Sequence, residues 1–175
     1  MAGEYAPSQK ALHWLVAVMV VVQAGLGIWV AFAAPDDEAA AMRLYNAHDG
    51  TGAVILVLML LRLAARLAGR APRLPPGTPR WAARAAWLNH RALYLVLLAQ
   101  PLIGWLNNGA NGFGWSLYGF LTIPAPISQG EAAAAWLSAV HFWTALALAA
   151  LVAAHLGGVV FHTFIRRDGL LRRMT

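Results

Sequence analysis

Apolar residues dominate four long stretches of this chain, and polar residues cluster between them. The stretches cover residues 11–34, 47–67, 85–106 and 132–165. Each is long enough to cross a bilayer as a helix, which takes about 20 mostly apolar residues. The third stretch contains Gln100 and Pro101, and a kink is expected there because proline removes a helical hydrogen bond. The pattern predicts an all-α integral membrane protein, with four transmembrane helices in a single domain over residues 1–175.

Composition supports a membrane protein over a soluble one. Of the 175 residues, 60% are hydrophobic and 11% are charged, whereas about 25% of a soluble domain is charged. The first apolar run is also longer than the roughly 7–15 apolar residues of a secretory signal peptide, so we interpret it as a span. The chain has no cysteine, which excludes iron–sulfur clusters, thiolate zinc sites and covalent c-type haem attachment.

The basic residues predict the orientation of the spans. Four spans place both termini and the middle connection, 69–84, on one side of the membrane. That side holds 12 of the 13 basic residues, and only Arg43 lies opposite. The positive-inside rule therefore places both termini in the cytoplasm, and the family resemblance described below implies that the membrane is the bacterial inner membrane. This distribution favours membrane lipid rather than nucleic acid as the partner of the basic residues, which are Lys10, Arg62, Arg66, Arg70, Arg73, Arg80, Arg84, Arg91, Arg166, Arg167, Arg172 and Arg173.

The connections differ in character. The outer segment 34–46 is predicted to be an acidic loop, and the Pro- and Arg-rich connection 69–84 a semi-rigid strap. The second outer loop, 107–130, carries Trp115, Tyr118 and Phe120, which suit an interfacial aromatic belt. Five acidic residues and Arg43 give the outer side a net charge of −4 (1 − 5).

Six histidines lie in or near the spans, where an ionisable group is costly and points to function. His141 and His155 are 14 residues apart. That spacing places them on the same helix face and about 21 Å apart along the axis, one in each leaflet. His48 and His141 lie at similar depths in the membrane, towards the outer side. His13 and His155 lie at similar depths towards the inner side.

Two imidazoles that face each other across a bundle suit a planar haem. Zinc or copper would need three or four ligands at one depth, and a proton relay would need acidic partners inside the spans. Small residues could let the macrocycle approach the backbone, although they also simply pack helices; they are Gly25, Gly27, Gly52, Gly104, Gly157 and Gly158.

Several assignments stay open at this level. His162 lies on the same face as His155 and matches the depth of His13 at least as well, although it is about 31 Å from His141. His90 suits either a packing role or contact with haem or quinone. Arg62 follows His48 by 14 residues, so its guanidinium could bind a haem propionate or, like Arg66, reach the inner headgroups.

Five short motifs and the histidine spacing resemble the bacterial cytochrome b561 family, relatives of the cytochrome b subunits of membrane hydrogenases and formate dehydrogenases. The motifs are KALHW at 10–14, HDGTG at 48–52, RLAAR at 62–66, HRALY at 90–94 and PLIGW at 101–105. The resemblance covers nearly the whole chain and implies a four-helix bundle enclosing two non-covalent b haems. By resemblance, His13 and His155 ligate the inner haem iron, and His48 and His141 ligate the outer one.

The resemblance also implies electron exchange with ubiquinone or another quinone near the inner haem, with His162, Trp87 and His90 as candidate contacts. One branch of the family is similar to a superoxide oxidase, which passes electrons from periplasmic superoxide to ubiquinone. The alternative is an electron-transfer subunit or carrier for a partner dehydrogenase or hydrogenase, and a haem-free membrane scaffold or transporter is a third class. The negative outer side argues against an anionic substrate, which a positive field would attract.

Reporter fusions test the predicted orientation. A fusion after Thr175 or within 69–80 should report a cytoplasmic location, and a fusion near Asp37 a periplasmic one, because 12 of 13 basic residues share one side. A C-terminus on the periplasmic side would contradict the orientation and would exchange the inner and outer assignments of the two histidine pairs.

Overall fold

Four long helices form the fold in the part of the chain that the computed structural model describes, residues 4–69, 72 and 74–175. They are α1 (Pro7–Phe32), α2 (Glu38–Ala68), α3 (Arg80–Ala110) and α4 (Glu131–Val160). A π-helical turn, Phe161–Arg166, extends α4, and a short 3₁₀ turn follows at Leu171–Arg173. A two-stranded antiparallel hairpin, β1 (Trp115–Leu117) and β2 (Leu121–Ile123), connects α3 to α4. Arg70 and Arg73 of the predicted strap lie outside the described residues.

The second helix begins at residue 38 rather than at 47, so the prediction of a loop over 34–46 is wrong for most of that segment. Asp37 explains the early start, because its Oδ1 accepts a 2.7 Å hydrogen bond from the backbone N–H of Ala40 and caps the helix. Glu38 adds a negative charge to the first turn, where it complements the helix dipole. The other outer connection, 107–130, contains the hairpin in place of an irregular loop.

Three of the four helices are long and apolar enough to cross a membrane: α1, α2, and α4 continued through Arg166. These three predicted spans are confirmed in length and composition. The third helix runs through Pro101 without interruption. It carries Arg84, Arg91 and Gln100 within its length, and these polar side chains lower its apolar character. A transmembrane position for α3 therefore remains a prediction.

Neighbouring helices pack in chain order: α1 on α2, α2 on α3, and α3 on α4. Val16, Ile55 and Met59 form the buried core between the first three helices. Within the described residues, α4 packs closely on α3 but not on α1 or α2. A gap between helix backbones therefore runs along one side of α4.

Side-chain amides of α3 fix its position against α4. Asn89 Nδ2 donates a 3.0 Å hydrogen bond to the carbonyl of Leu151, and Gln100 Nε2 donates a 2.9 Å bond to the carbonyl of His141. Thr144 Oγ1 donates to Gln100 Oε1 and completes this second contact. The two acceptor carbonyls lie ten residues apart in the middle of α4, so the bonds fix its rotation as well as its height.

Asp49 attaches the hairpin to the N-terminal half of α2. Its Oδ2 accepts a 2.6 Å hydrogen bond from Asn108 Nδ2 and a 3.4 Å bond from the N–H of Ser116. Its backbone carbonyl accepts a 3.1 Å bond from Trp115 Nε1. Trp115 is consequently buried, and the prediction that it lies in an interfacial belt is wrong. Phe120, which is 93% exposed, remains suited to such a belt.

The hairpin turn lies directly over the start of the second predicted span. Tyr118 and Gly119 have positive φ values of 55° and 81°, as a type I′ turn requires. The Tyr118 ring lies so close to Gly50 that a Cβ there would be 2.5 Å from it. Tyr118 OH also lies 3.2 Å from Thr51 Oγ1. The hairpin thus covers the residues that immediately follow His48.

The C-terminal segment folds back on the start of α1. Lys10 Nζ donates a 2.7 Å hydrogen bond to the carbonyl of Thr175, and Trp14 Nε1 donates a 2.7 Å bond to the carbonyl of Met174. The backbone N–H of Tyr5 donates to the Arg173 carbonyl at 3.4 Å. This segment closes the inner end of the bundle beside His13.

Asn108→Ala should loosen the hairpin, because it leaves the partly buried Asp49 carboxylate without its shortest hydrogen bond. The expected cost is about 1–3 kcal/mol, with faster hydrogen exchange at the amides of β1 and β2. Asn111→Ala is the matched control, because that exposed amide donates only to Asn107 on its own helix. Equal exchange in both variants would contradict this role of Asp49.

Candidate functional site

The outer histidine pair joins α2 to α4. The ring centres of His48 and His141 are 6.2 Å apart, and the ring planes are inclined by 73°. A glycine of a neighbouring helix faces each ring: a Cβ on Gly27 would lie 3.3 Å from His48 Cε1, and one on Gly104 would lie 3.1 Å from His141 Cε1. Each ring therefore has the backbone of a neighbouring helix on one side and the other histidine of the pair on its opposite side.

Amide side chains surround this outer pair. Gln23 Nε2 lies 3.3 Å from His48 Nδ1 and 3.2 Å from His48 Nε2. Gln100 contacts the carbonyl of His141, as described above, and leaves its ring free. His141 Nδ1 is buried and has no hydrogen-bond partner among the described residues.

The inner pair joins α1 to α4. The ring centres of His13 and His155 are 6.1 Å apart, with an interplanar angle of 64°. His90 of α3 approaches His155 from another side, with 5.2 Å between the ring centres. Nowhere in the described chain do three His, Cys, Asp or Glu side chains converge on one metal-sized point. The inner group is therefore a facing pair with a neighbour, rather than a three-ligand centre.

Arg62 lies within electrostatic reach of the inner histidines His13, His90 and His155. Its guanidinium carbon is 5.8 Å from the centre of the Tyr94 ring. One guanidinium nitrogen is buried and has no hydrogen-bond partner in the described part of the chain. A buried, partly unpaired guanidinium fits an anionic ligand.

His162 belongs to a separate cluster at the inner end. It is buried, and its Nδ1 lies 2.7 Å from Asp168 Oδ2, which also accepts a 3.0 Å bond from Arg166 Nε. Burial raises the pKa of Asp168, but hydrogen bonds from His162, Arg166 and the Leu170 N–H outweigh it and hold that pKa below its ordinary value. No described contact joins His162 to His13.

The remaining predicted positions are more exposed. Trp87 is 52% exposed, and the Arg91 guanidinium stacks on its ring at 3.8 Å. Gly25, Gly157 and Gly158 face open space, so among the predicted glycines only Gly27 and Gly104 lie against histidine rings. Gln23, Gln100, Asp49 and Asp168 did not figure in the sequence-based site. The signal that could have identified the two glutamines is a polar residue inside an otherwise apolar span.

Apolar helices that bring together two histidine pairs define a class of protein, a membrane helical bundle. The family model for prokaryotic cytochrome b561 matches residues 4–175. The chain belongs to the prokaryotic cytochrome b561 family, and it is a membrane electron-transfer protein whose family implies b-type haem.

Similar proteins span nearly the same length. Cytochrome b561 homolog 2 of Escherichia coli K12 is 32% identical over 173 residues, covering 97% of this chain and 90% of the relative. Cytochrome b561 homolog 1 of the same organism is 30% identical, and the match covers 98% of this chain and 97% of the relative. A probable superoxide oxidase CybB of Yersinia pestis is 28% identical, and the match covers 99% of this chain and 97% of the relative.

Proposed function

We propose that this chain is an inner-membrane cytochrome with two b haems, which moves electrons between the periplasmic side and the quinone pool. The observation that carries the proposal is the spacing of the two ring pairs, 6.1 and 6.2 Å between centres. A metal–imidazole bond is about 2 Å, so two imidazole rings that held one iron between them would have centres about 6 Å apart. His13 with His155 and His48 with His141 have this spacing.

Further features of both sites fit haem. Gly27 and Gly104 keep the outer histidine rings against helix backbone, and a side chain at either position would crowd them. The gap between α4 and the helices α1 and α2 gives a flat group room to lie between the paired rings. In the inner site, the partly unpaired guanidinium of Arg62 suits a propionate, and His90 is close enough to His155 to contact the same group.

Haem with two histidine ligands supplies one-electron transfer and has no open position for oxygen. The protein's contribution is to hold the two sites in series. The buried side chains Val16, Ile55 and Met59 form an apolar core among the first three helices. His141 and His155 on one helix set the separation of the sites at about 21 Å along the axis.

The proposed orientation has both termini in the cytoplasm and α3 as the fourth span. α3 supports this position because it packs along α4 and holds it at both Leu151 and His141. The inner end would then receive the quinone, near His90, Trp87 and His162. His162 Nδ1 lies 2.7 Å from Asp168 Oδ2 there, and this contact fixes the orientation of its ring.

An open pocket of about 330 Å³, lined in part by the residue that precedes His48, favours superoxide as the electron donor. It lies between α1 and α2 and is lined by Trp29, Leu44, Ala47 and the exposed Arg43. Arg43 thus provides a local positive charge on a net-negative side, next to the residue preceding His48. In this reaction two superoxide anions each lose one electron and become O₂, and one quinone takes up two electrons and two protons.

The exposed acidic residues Asp36, Asp37 and Glu38 favour a second candidate function. They form a negative surface at the outer end of α2, which suits a basic redox protein as the donor. In that case the chain would be an electron-transfer subunit or carrier for a partner enzyme.

Haem content tests the ligand assignment. Pyridine haemochrome analysis of the purified protein should give about two b haems per chain. His48→Ala or His141→Ala should lose one haem, and His13→Ala or His155→Ala should lose the other. Each variant should keep the spectrum of one low-spin haem.

His162→Ala is the matched control for His155→Ala, because both residues lie in the inner half of the same helical segment. His162→Ala should retain both haems. Loss of the inner haem in His162→Ala, with native low-spin ligation in His155→Ala, would contradict the choice of His155.

Charge reversal at Arg43 tests the donor. In stopped-flow reduction by superoxide, Arg43→Glu should lower the bimolecular rate by roughly tenfold, and added salt should slow the wild type, because both weaken attraction of an anion. Arg43→Lys keeps the charge and should stay near wild type. A slow reaction that is indifferent to salt and to Arg43 would rule out steered superoxide oxidation.

Loss of reduction by a partner protein in Asp36→Lys would instead support the carrier function.

A further inference from the structure

Gln23 is a polar residue in the middle of the most apolar helix, and it contacts a proposed haem ligand. Its terminal amide nitrogen lies within 3.3 Å of both ring nitrogens of His48. The amide oxygen Oε1 is buried and has no hydrogen-bond partner among the described residues. A buried, unpaired amide oxygen costs free energy, so a partner for it is expected once the site is complete.

Iron ligation would supply that partner. When one ring nitrogen of His48 binds iron, the other carries a proton and can only donate a hydrogen bond. Turning the Gln23 amide by about 180° exchanges its nitrogen and oxygen without moving the rest of the side chain. The oxygen would then face the donor. The rotation pairs the protonated ring nitrogen with the amide oxygen and turns the amide N–H groups to the position that the oxygen occupies in this structure.

We propose that Gln23 is a positioning residue that accepts a hydrogen bond from the non-ligating ring nitrogen of His48 and thereby lowers the reduction potential of the outer haem. Such an acceptor fixes the ring orientation and raises the basicity of the ligand. A more basic imidazole stabilises ferric over ferrous iron. This inference rests on the proposed function, because it needs a haem on His48.

The two proposed sites differ in this respect. His48 has the Gln23 amide beside it, whereas no described contact gives His141 Nδ1 a partner. In the inner site the neighbours of the paired rings are His90 and the positive Arg62. An effect of Gln23 should therefore be confined to one of the two haems, and the other haem serves as an internal reference in the same sample.

The test is an optical redox titration of the purified two-haem protein. The outer-haem transition is assigned by its absence in His141→Ala. Gln23→Leu removes the acceptor and should shift the outer ferric/ferrous equilibrium about tenfold towards ferrous, which is about +59 mV for one electron. Gln23→Glu supplies a stronger acceptor and should shift it the opposite way. The midpoint potential of the inner haem should not change in either variant.

Gln9→Leu is the matched control, because it makes the same change on the same helix and removes a bond to the Ala65 carbonyl, away from the outer pair. It should leave the outer transition unchanged. The inference is overturned if Gln23→Leu keeps both haems but leaves the outer potential unchanged, or if Leu and Glu shift it the same way. If Gln23→Leu does not retain haem, Gln23→Glu decides: a shift of the outer equilibrium towards ferric supports the inference, and a shift towards ferrous overturns it. A wild-type protein without two haems would instead overturn the proposed function itself.

Discussion

Pairs of imidazoles facing each other across a gap between apolar helices are the arrangement on which the rest of this structure depends. A polar ring in an apolar interior is costly unless it has a partner. His48 and His141 meet across this gap with 6.2 Å between ring centres, and His13 and His155 with 6.1 Å. Gln23 also contacts His48, and His90 lies beside His155. Gly27 and Gly104 let the outer rings lie against helix backbone.

The fourth helix carries one member of each pair, so its rotation and height decide both sites at once. Its own side chains do little to fix it, because it is apolar on nearly every face. The amides of Asn89 and Gln100 on α3 do so, by bonding to carbonyls of α4 at residues 151 and 141. This explains why the least apolar of the four helices packs against α4: its polar side chains position the helix that carries His141 and His155.

Helical periodicity predicted that His141 and His155 share a face, because rotation along one helix is fixed, but it left His162 as an alternative to His155. The structure brings His155 next to His13 and His141 next to His48. Contacts between distant segments could not be predicted in this way. The burial of Trp115 depends on Asp49, 66 residues earlier, and the separation of His162 from the inner pair depends on Asp168 beyond the helix end. The early start of α2 shows a further limit, since a cap at Asp37 extends a helix beyond its apolar part.

The surroundings of the two sites are electrically unequal. The outer pair has the neutral amides of Gln23 and Gln100 beside it, and the carboxylate of Asp49 follows His48 directly. The inner pair has the positive charge of Arg62. In a medium of low dielectric, a negative group opposes the arrival of an electron and a positive one favours it. Under the proposed function, this difference lowers the reduction potential of the outer site relative to the inner one. Electrons that enter near Arg43 would therefore move inward to the end of the bundle where His162 and Asp168 lie, which is the direction that quinone reduction requires.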